Sequence, residues 1–205
     1  MNIDFLHNID FDYNYEYNRN SFHKACDKGS IARVAVAKTG KDCYNMNESI
    51  LKSAVKAYIS KKKTNAAYYD ENWAERKERK LYYQSFNKTK LLAMTEEDFL
   101  EYIGKLWSML IWGNKKYVVD KLIADNGFEN VKKQLVELLY GEAAIEKRWD
   151  VFLKNVKGLG PATISELLTY INPREYVIFN RTTILCYTYF GIPDMPKYNY
   201  QYNGR

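Results

Sequence analysis

Cysteine, histidine and proline are scarce in this chain of 205 residues, at three, two and four copies. Cys26, Cys43 and Cys186 are an odd number without a CxxC pair, which argues against a disulfide framework. Only His7 and His23 accompany them. The His23/Cys26 pair supplies two of the four ligands that a structural zinc requires, so no metal is expected. Two histidines also leave triad chemistry little to draw on. No apolar run approaches the ~18 residues of a bilayer helix, and no membrane partner is expected. The opening Met1-Asn2-Ile3-Asp4-Phe5 carries neither the basic segment nor the apolar stretch of a signal peptide, so the reading is cytoplasmic. There is no GxxxxGK[ST] phosphate loop in these residues and no internal repeat.

What is present is apolar and charged in globular proportion, 46% and 27%, with 19 tyrosines. The formal charge of +6 is unevenly distributed. Residues 1–20 hold four acids against Arg19, whereas residues 52–90 hold eleven basic residues against four acidic ones. Such a concentration, with Lys61, Lys62 and Lys63 at its centre, points toward a polyanion such as DNA. The run Glu75-Arg76-Lys77-Glu78-Arg79-Lys80 mixes signs and reads either as a solvated helix face or as part of a nucleic-acid groove.

The expected architecture is mainly α, with two parts. Residues 1–90 form a basic, aromatic-rich segment of α or α+β character, with a short strand over 31–36 or a short helix over 21–27. Within it, Ile50, Leu51, Ala54, Val55, Tyr58 and Ile59 share one helical face behind Asn47, and another helix is expected over 71–83. Residues 91–205 form a helical domain, with a bundle over 95–192. Thr95-Glu96-Glu97-Asp98 has the form of a capping box, opening a stripe from Phe99 to Leu110. Helices over 116–125, 128–140, 143–156, 161–171 and 181–190 follow, punctuated by Gly127, Gly141, Asn172-Pro173 and Gly191. The tyrosine-rich tail from Tyr198 reads as a cut inside a longer protein.

Val156-Lys157-Gly158-Leu159-Gly160-Pro161-Ala162-Thr163 lies between two of these helices. Glycines on either side of one apolar residue suit a tight turn that a ligand approaches closely. Pro161 suits a first helical position, and the N–H groups behind it form a natural phosphate site with Lys154 and Lys157 nearby. The segment resembles the helix-hairpin-helix motif of DNA-processing proteins. That resemblance implies backbone contacts to a DNA phosphate from Gly158, Leu159, Gly160, Ala162 and Thr163, sometimes joined by a monovalent cation. Ile164 departs from the small residue usual near that position.

The likeness extends to the helix-hairpin-helix DNA glycosylases, in which an aspartate opens the next helix and bifunctional members carry a lysine nucleophile. Asn180 and Ala162 occupy those positions here, so neither an ionised carboxylate nor an amine is available and no catalytic residue is expected. An active glycosylase or lyase would need Glu166 or Glu175 in place of the aspartate. From Thr95 onward, Leu106–Asn114, Glu137–Gly141, Val156–Glu166, Tyr176–Asn180 and Pro196–Gln201 are similar to a region of McrBC-type restriction proteins. That likeness implies a recognition arm for marked DNA, with a fused AAA+ motor and a nuclease subunit as partners. Trp107, Trp112, Tyr176 and Asn180 are candidates to line a base pocket, although Trp107, Trp112, Trp149 and Tyr176 at helical spacing equally suit a core. A protein-interaction module is the third alternative.

Overall fold

The computed structural model describes residues 47–192 and Met195. The expected strand over 31–36, the alternative helix over 21–27, Cys26, Cys43, both histidines and the 196–201 segment lie outside the described residues. The described chain is mainly helical, as the periodicity predicts. It runs α1 (Glu48–Thr64), α2 (Ala66–Gln84), α3 (Lys88–Leu92), α4 (Glu96–Gly104), a 3₁₀ turn (Trp107–Met109), α5 (Lys115–Asn126), α6 (Phe128–Tyr140), α7 (Ile145–Asn155), α8 (Pro161–Ile171) and α9 (Arg181–Tyr189). None of these helices is long and apolar enough to cross a membrane.

The residues divide into two units, 47–74 with 180–192 and 75–179, so the expected boundary between 90 and 91 falls inside the second. In the first unit, Asn47 caps α1 by accepting the Ile50 N–H at 3.2 Å. Its own N–H donates to the Phe190 carbonyl at 2.8 Å, tying the start of α1 to the end of α9. The apolar stripe of α1 is half-buried along its length rather than enclosed. Tyr58 meets Tyr69 edge-on, with ring centres 5.4 Å apart, closing the α1–α2 hairpin. Cys186 is buried on α9, and that burial pushes its thiol up to about 12, so it stays protonated at neutral pH.

The second unit holds an extensive core. Leu91, Phe99, Ile103, Leu106, Val131, Leu135, Ile164 and Leu167 are fully enclosed, each contributing roughly 1.5–3 kcal/mol by leaving water. Tyrosines form much of one side. Tyr83 stacks on Tyr170 at 5.0 Å and meets Tyr102 edge-on at the same separation. Its hydroxyl donates to the Tyr102 carbonyl at 2.7 Å, which satisfies two polar groups inside an apolar setting. Lys132 is buried because its ammonium donates to the carbonyls of Leu92 and Met94 at 2.9 and 3.1 Å and pairs with Glu129 at 2.7 Å.

Thr95 and Asp98 form the reciprocal capping box that the sequence predicts, and Phe128–Tyr140 and Pro161–Ile171 match their expected bounds. Two elements differ. The short helix α3 was not expected; Asn87 starts it by accepting the Lys90 N–H at 2.8 Å. The stripe from Phe99 to Leu110 is not one helix. It stops at Gly104 and continues as the 3₁₀ turn, because a carboxylate from α8 takes the N–H groups of that turn.

Candidate nucleic-acid interface

The hairpin between α7 and α8 is built by three local constraints. Val156 ends α7 with a buried side chain, and Leu159, only 3% exposed, plugs the loop into the core between two exposed glycines. Gly158 adopts φ +97°, a left-handed conformation that costs an L-residue about 1–2 kcal/mol. A Cβ there would also stand 3.4 Å from Leu122 Cδ1 of α5. Gly160 differs: it has φ −89° and ψ 178°, and a Cβ there meets nothing within 4 Å.

Gly160 is the N-cap of α8 and Pro161 its first residue, with no side chain capping the helix. The N–H groups of Ala162 and Thr163 belong to the first turn, which an α-helix cannot satisfy from within. They are therefore open to an anionic acceptor, in the positive end of the helix dipole. Lys154 and Lys157 are exposed beside them and form no ion pair among the described residues. Ile164 fills the core behind this turn and is completely buried.

A residue that sequence reasoning missed holds the turn from outside. Asn126, at the end of α5, accepts the Lys157 N–H on Oδ1 at 2.7 Å and donates from Nδ2 to the Lys157 carbonyl at 2.8 Å. The same Nδ2 donates to the Leu122 carbonyl at 2.7 Å. One side chain thus clamps both polar groups of the residue preceding Gly158. Asn126-Gly127 signals a helix stop in the sequence, and nothing local indicates its second task. The cation implied at the hairpin would draw on carbonyls of this turn. Those of Lys157 and Gly160 already accept from Asn126 Nδ2 and the Ile164 N–H.

The remaining predicted residues are distributed differently. Lys61, Lys62 and Lys63 lie in the last turn of α1, in the other unit, where the negative end of the helix dipole favours them. Trp107 and Trp112 are 40% and 50% exposed, whereas Trp149 is buried in the core. Tyr176 is half-buried, and its hydroxyl accepts from Arg148 Nη2 at 3.4 Å. Arg148 in turn donates to the Ala143 and Leu138 carbonyls, so this group closes the α6–α7 connection. Asn180 caps α9 by accepting the Thr183 N–H at 3.0 Å. Tyr176 and Asn180 are therefore engaged in local structure.

Glu166, the candidate replacement acid, is 2% exposed. Its Oε1 accepts the Trp107 N–H at 2.6 Å and its Oε2 the Ser108 N–H at 3.0 Å. Burial pushes its carboxyl above the ordinary range, against the opposing pull of these two N–H groups. Both oxygens are committed to holding the 3₁₀ turn. Glu175 is exposed. Among the described residues no group of three or more histidines, cysteines and acids is placed to hold a metal.

Comparison with known protein families, curated proteins and solved structures yields no match to this chain.

Proposed function

We propose that this protein is a non-catalytic DNA-binding module that grips the phosphate backbone through the Val156–Thr163 hairpin. The observation that carries the reading is the uncapped start of α8 behind an open Gly160, flanked by two unpaired lysines and held in place by Asn126. A phosphate oxygen matches that site in charge and in hydrogen-bonding sense. No base edge is read by such a contact, so affinity from this site is independent of sequence. Asn180 supports the absence of glycosylase chemistry: it is uncharged, and its side-chain oxygen caps a helix. The narrower assignment, a recognition arm in an McrBC-type restriction system with a motor and nuclease elsewhere, rests on the sequence resemblance and extends the same reading.

The test is fluorescence-anisotropy titration of a short duplex, unmodified or carrying methylated cytosine or adenine, across a range of salt. Two or three phosphate contacts give a log–log salt slope of roughly −2 to −3. Replacing Gly158 and Gly160 together by alanine is expected to weaken binding. Salt-independent association, or no binding to any duplex, would overturn the proposal. Retention of full affinity by the folded double variant would remove the hairpin from it.

A further inference from the structure

The residue that clamps the hairpin, Asn126, is followed directly by a glycine. In an Asn-Gly pair the backbone nitrogen reaches the preceding side-chain amide with little hindrance, because glycine has no Cβ to block the approach. Gly127 is exposed at φ +78°, and a Cβ there would meet nothing within 4 Å. Asn126 is itself partly exposed, so water and hydroxide reach the pair from solvent. The pair also sits at a helix end. The Gly127 N–H donates to the Ile123 carbonyl at 2.8 Å, at the end of α5. Bonds at a helix end open locally, without unfolding of the core.

The clamp holds the reacting groups apart. Asn126 Oδ1 accepts the Lys157 N–H at 2.7 Å, and Nδ2 donates to the carbonyls of Lys157 and Leu122 at 2.8 and 2.7 Å. Opening of that one turn frees the Asn126 amide and the Gly127 nitrogen together. The nitrogen loses its proton to hydroxide and bonds to Cγ of Asn126. The Cγ–Nδ2 bond breaks, and Nδ2 takes up a proton from water and leaves as ammonia. Water then hydrolyses the five-membered imide at either carbonyl, giving aspartate or isoaspartate. Nothing is oxidised or reduced.

The product cannot clamp the hairpin. A carboxylate has acceptors only, so the carbonyls of Lys157 and Leu122 lose their donor. Its charge stands against the turn that presents Gly158, and repels a phosphate there. Isoaspartate also lengthens the backbone between α5 and α6 by one carbon. We propose that Asn126 is a deamidation site, where hydrolysis turns the hairpin off irreversibly. The consequence rests on the DNA-binding reading, and the chemistry does not.

The experiment incubates the intact chain in warm, mildly alkaline buffer and samples it over time. Peptide mass spectrometry reads conversion at Asn126, anisotropy reads duplex affinity and circular dichroism reads the fold. Asn203-Gly204, the other Asn-Gly pair in the sequence, is the reference that the conditions suffice. Asn126 is expected to convert in the folded chain, roughly tenfold to a hundredfold more slowly than in urea, because the clamp must open first. The converted chain is expected to keep its helical signal and to bind duplex about tenfold more weakly. Asn126→Asp is expected to show that loss before any incubation.

Conversion at Asn203 with none at Asn126 would overturn the proposal, since the clamp would then seal the site. Undiminished affinity of the converted chain, or of Asn126→Asp, would overturn the switch. So would loss of helical signal in step with conversion, which would assign the lost binding to unfolding. A wild type that binds no duplex before incubation would overturn the hairpin reading and the switch with it, and the mass would still read the chemistry at Asn126.

Discussion

Replacing Gly160 by aspartate should move stability and DNA affinity in opposite directions. Gly160 already has the extended backbone of an N-cap, and a side chain there meets nothing within 4 Å, so the substitution introduces no strain. The new carboxylate would accept the N–H of Ala162 or Thr163. Relative to glycine, the cap itself is worth a few tenths of a kcal/mol, and the charge at the helix N-terminus adds about 0.3–1 kcal/mol. The total, roughly 0.5–1.3 kcal/mol, corresponds to a rise of about 1–5 °C in Tm for a chain of this size. The same carboxylate fills the proposed phosphate site and repels the phosphate. Removing one contact should flatten the salt slope by about 0.9 and lower affinity about tenfold at low salt. Thermal denaturation and anisotropy titration measure the two effects on one preparation. Gly160→Asn separates occupation of the amides from charge repulsion, since it caps without charge. Stabilisation with unchanged affinity and slope would refute the phosphate site, and a lower Tm would refute the cap geometry.

Asn126→Ala removes the clamp on Lys157 and should cost about 1–2 kcal/mol of stability, with weaker DNA binding. Urea unfolding and anisotropy check this, and undiminished binding by the folded variant would show that the clamp does not shape the site. Tyr83→Phe leaves the buried Tyr102 carbonyl without its donor and should cost about 1–3 kcal/mol in urea unfolding. A loss below a few tenths would show that this hydrogen bond contributes little. Glu166 has a folded-state pKa raised above its ordinary 4.5, so the stability linked to it is full below that value and lost as pH rises through the folded value. Unfolding free energy of the wild type, measured relative to Glu166→Gln, should therefore fall from about pH 4.5 upward. A rising difference would reverse the sign of the burial effect.

Local signals made most helices legible. The Thr95/Asp98 box, Gly127, Gly141, Pro161 and Asn172-Pro173 act over three or four residues and require no knowledge of the fold. The hairpin was legible for the same reason: Gly158, Leu159, Gly160 and Pro161 carry its constraints in consecutive positions. The base-pocket candidates rest on other grounds, Trp107, Trp112 and Tyr176 on aromatic residue type and Asn180 on the glycosylase resemblance. Residue type does not reveal that Tyr176 accepts from Arg148 or that the Asn180 side chain is committed as a helix cap.

By itself, then, the sequence determined a mainly helical chain, the starts and stops of its principal helices, and the chemistry available at the α7–α8 turn. Tertiary structure decided how those parts are held. Glu166 interrupts the Phe99–Leu110 stripe from 59 residues away, and Asn126 clamps the hairpin from 31 residues away. The physical reason is range. Backbone propensity and capping act within a turn, whereas a buried carboxylate or amide takes whichever donors and acceptors packing brings within about 3 Å. Those partners exist only after the helices have assembled.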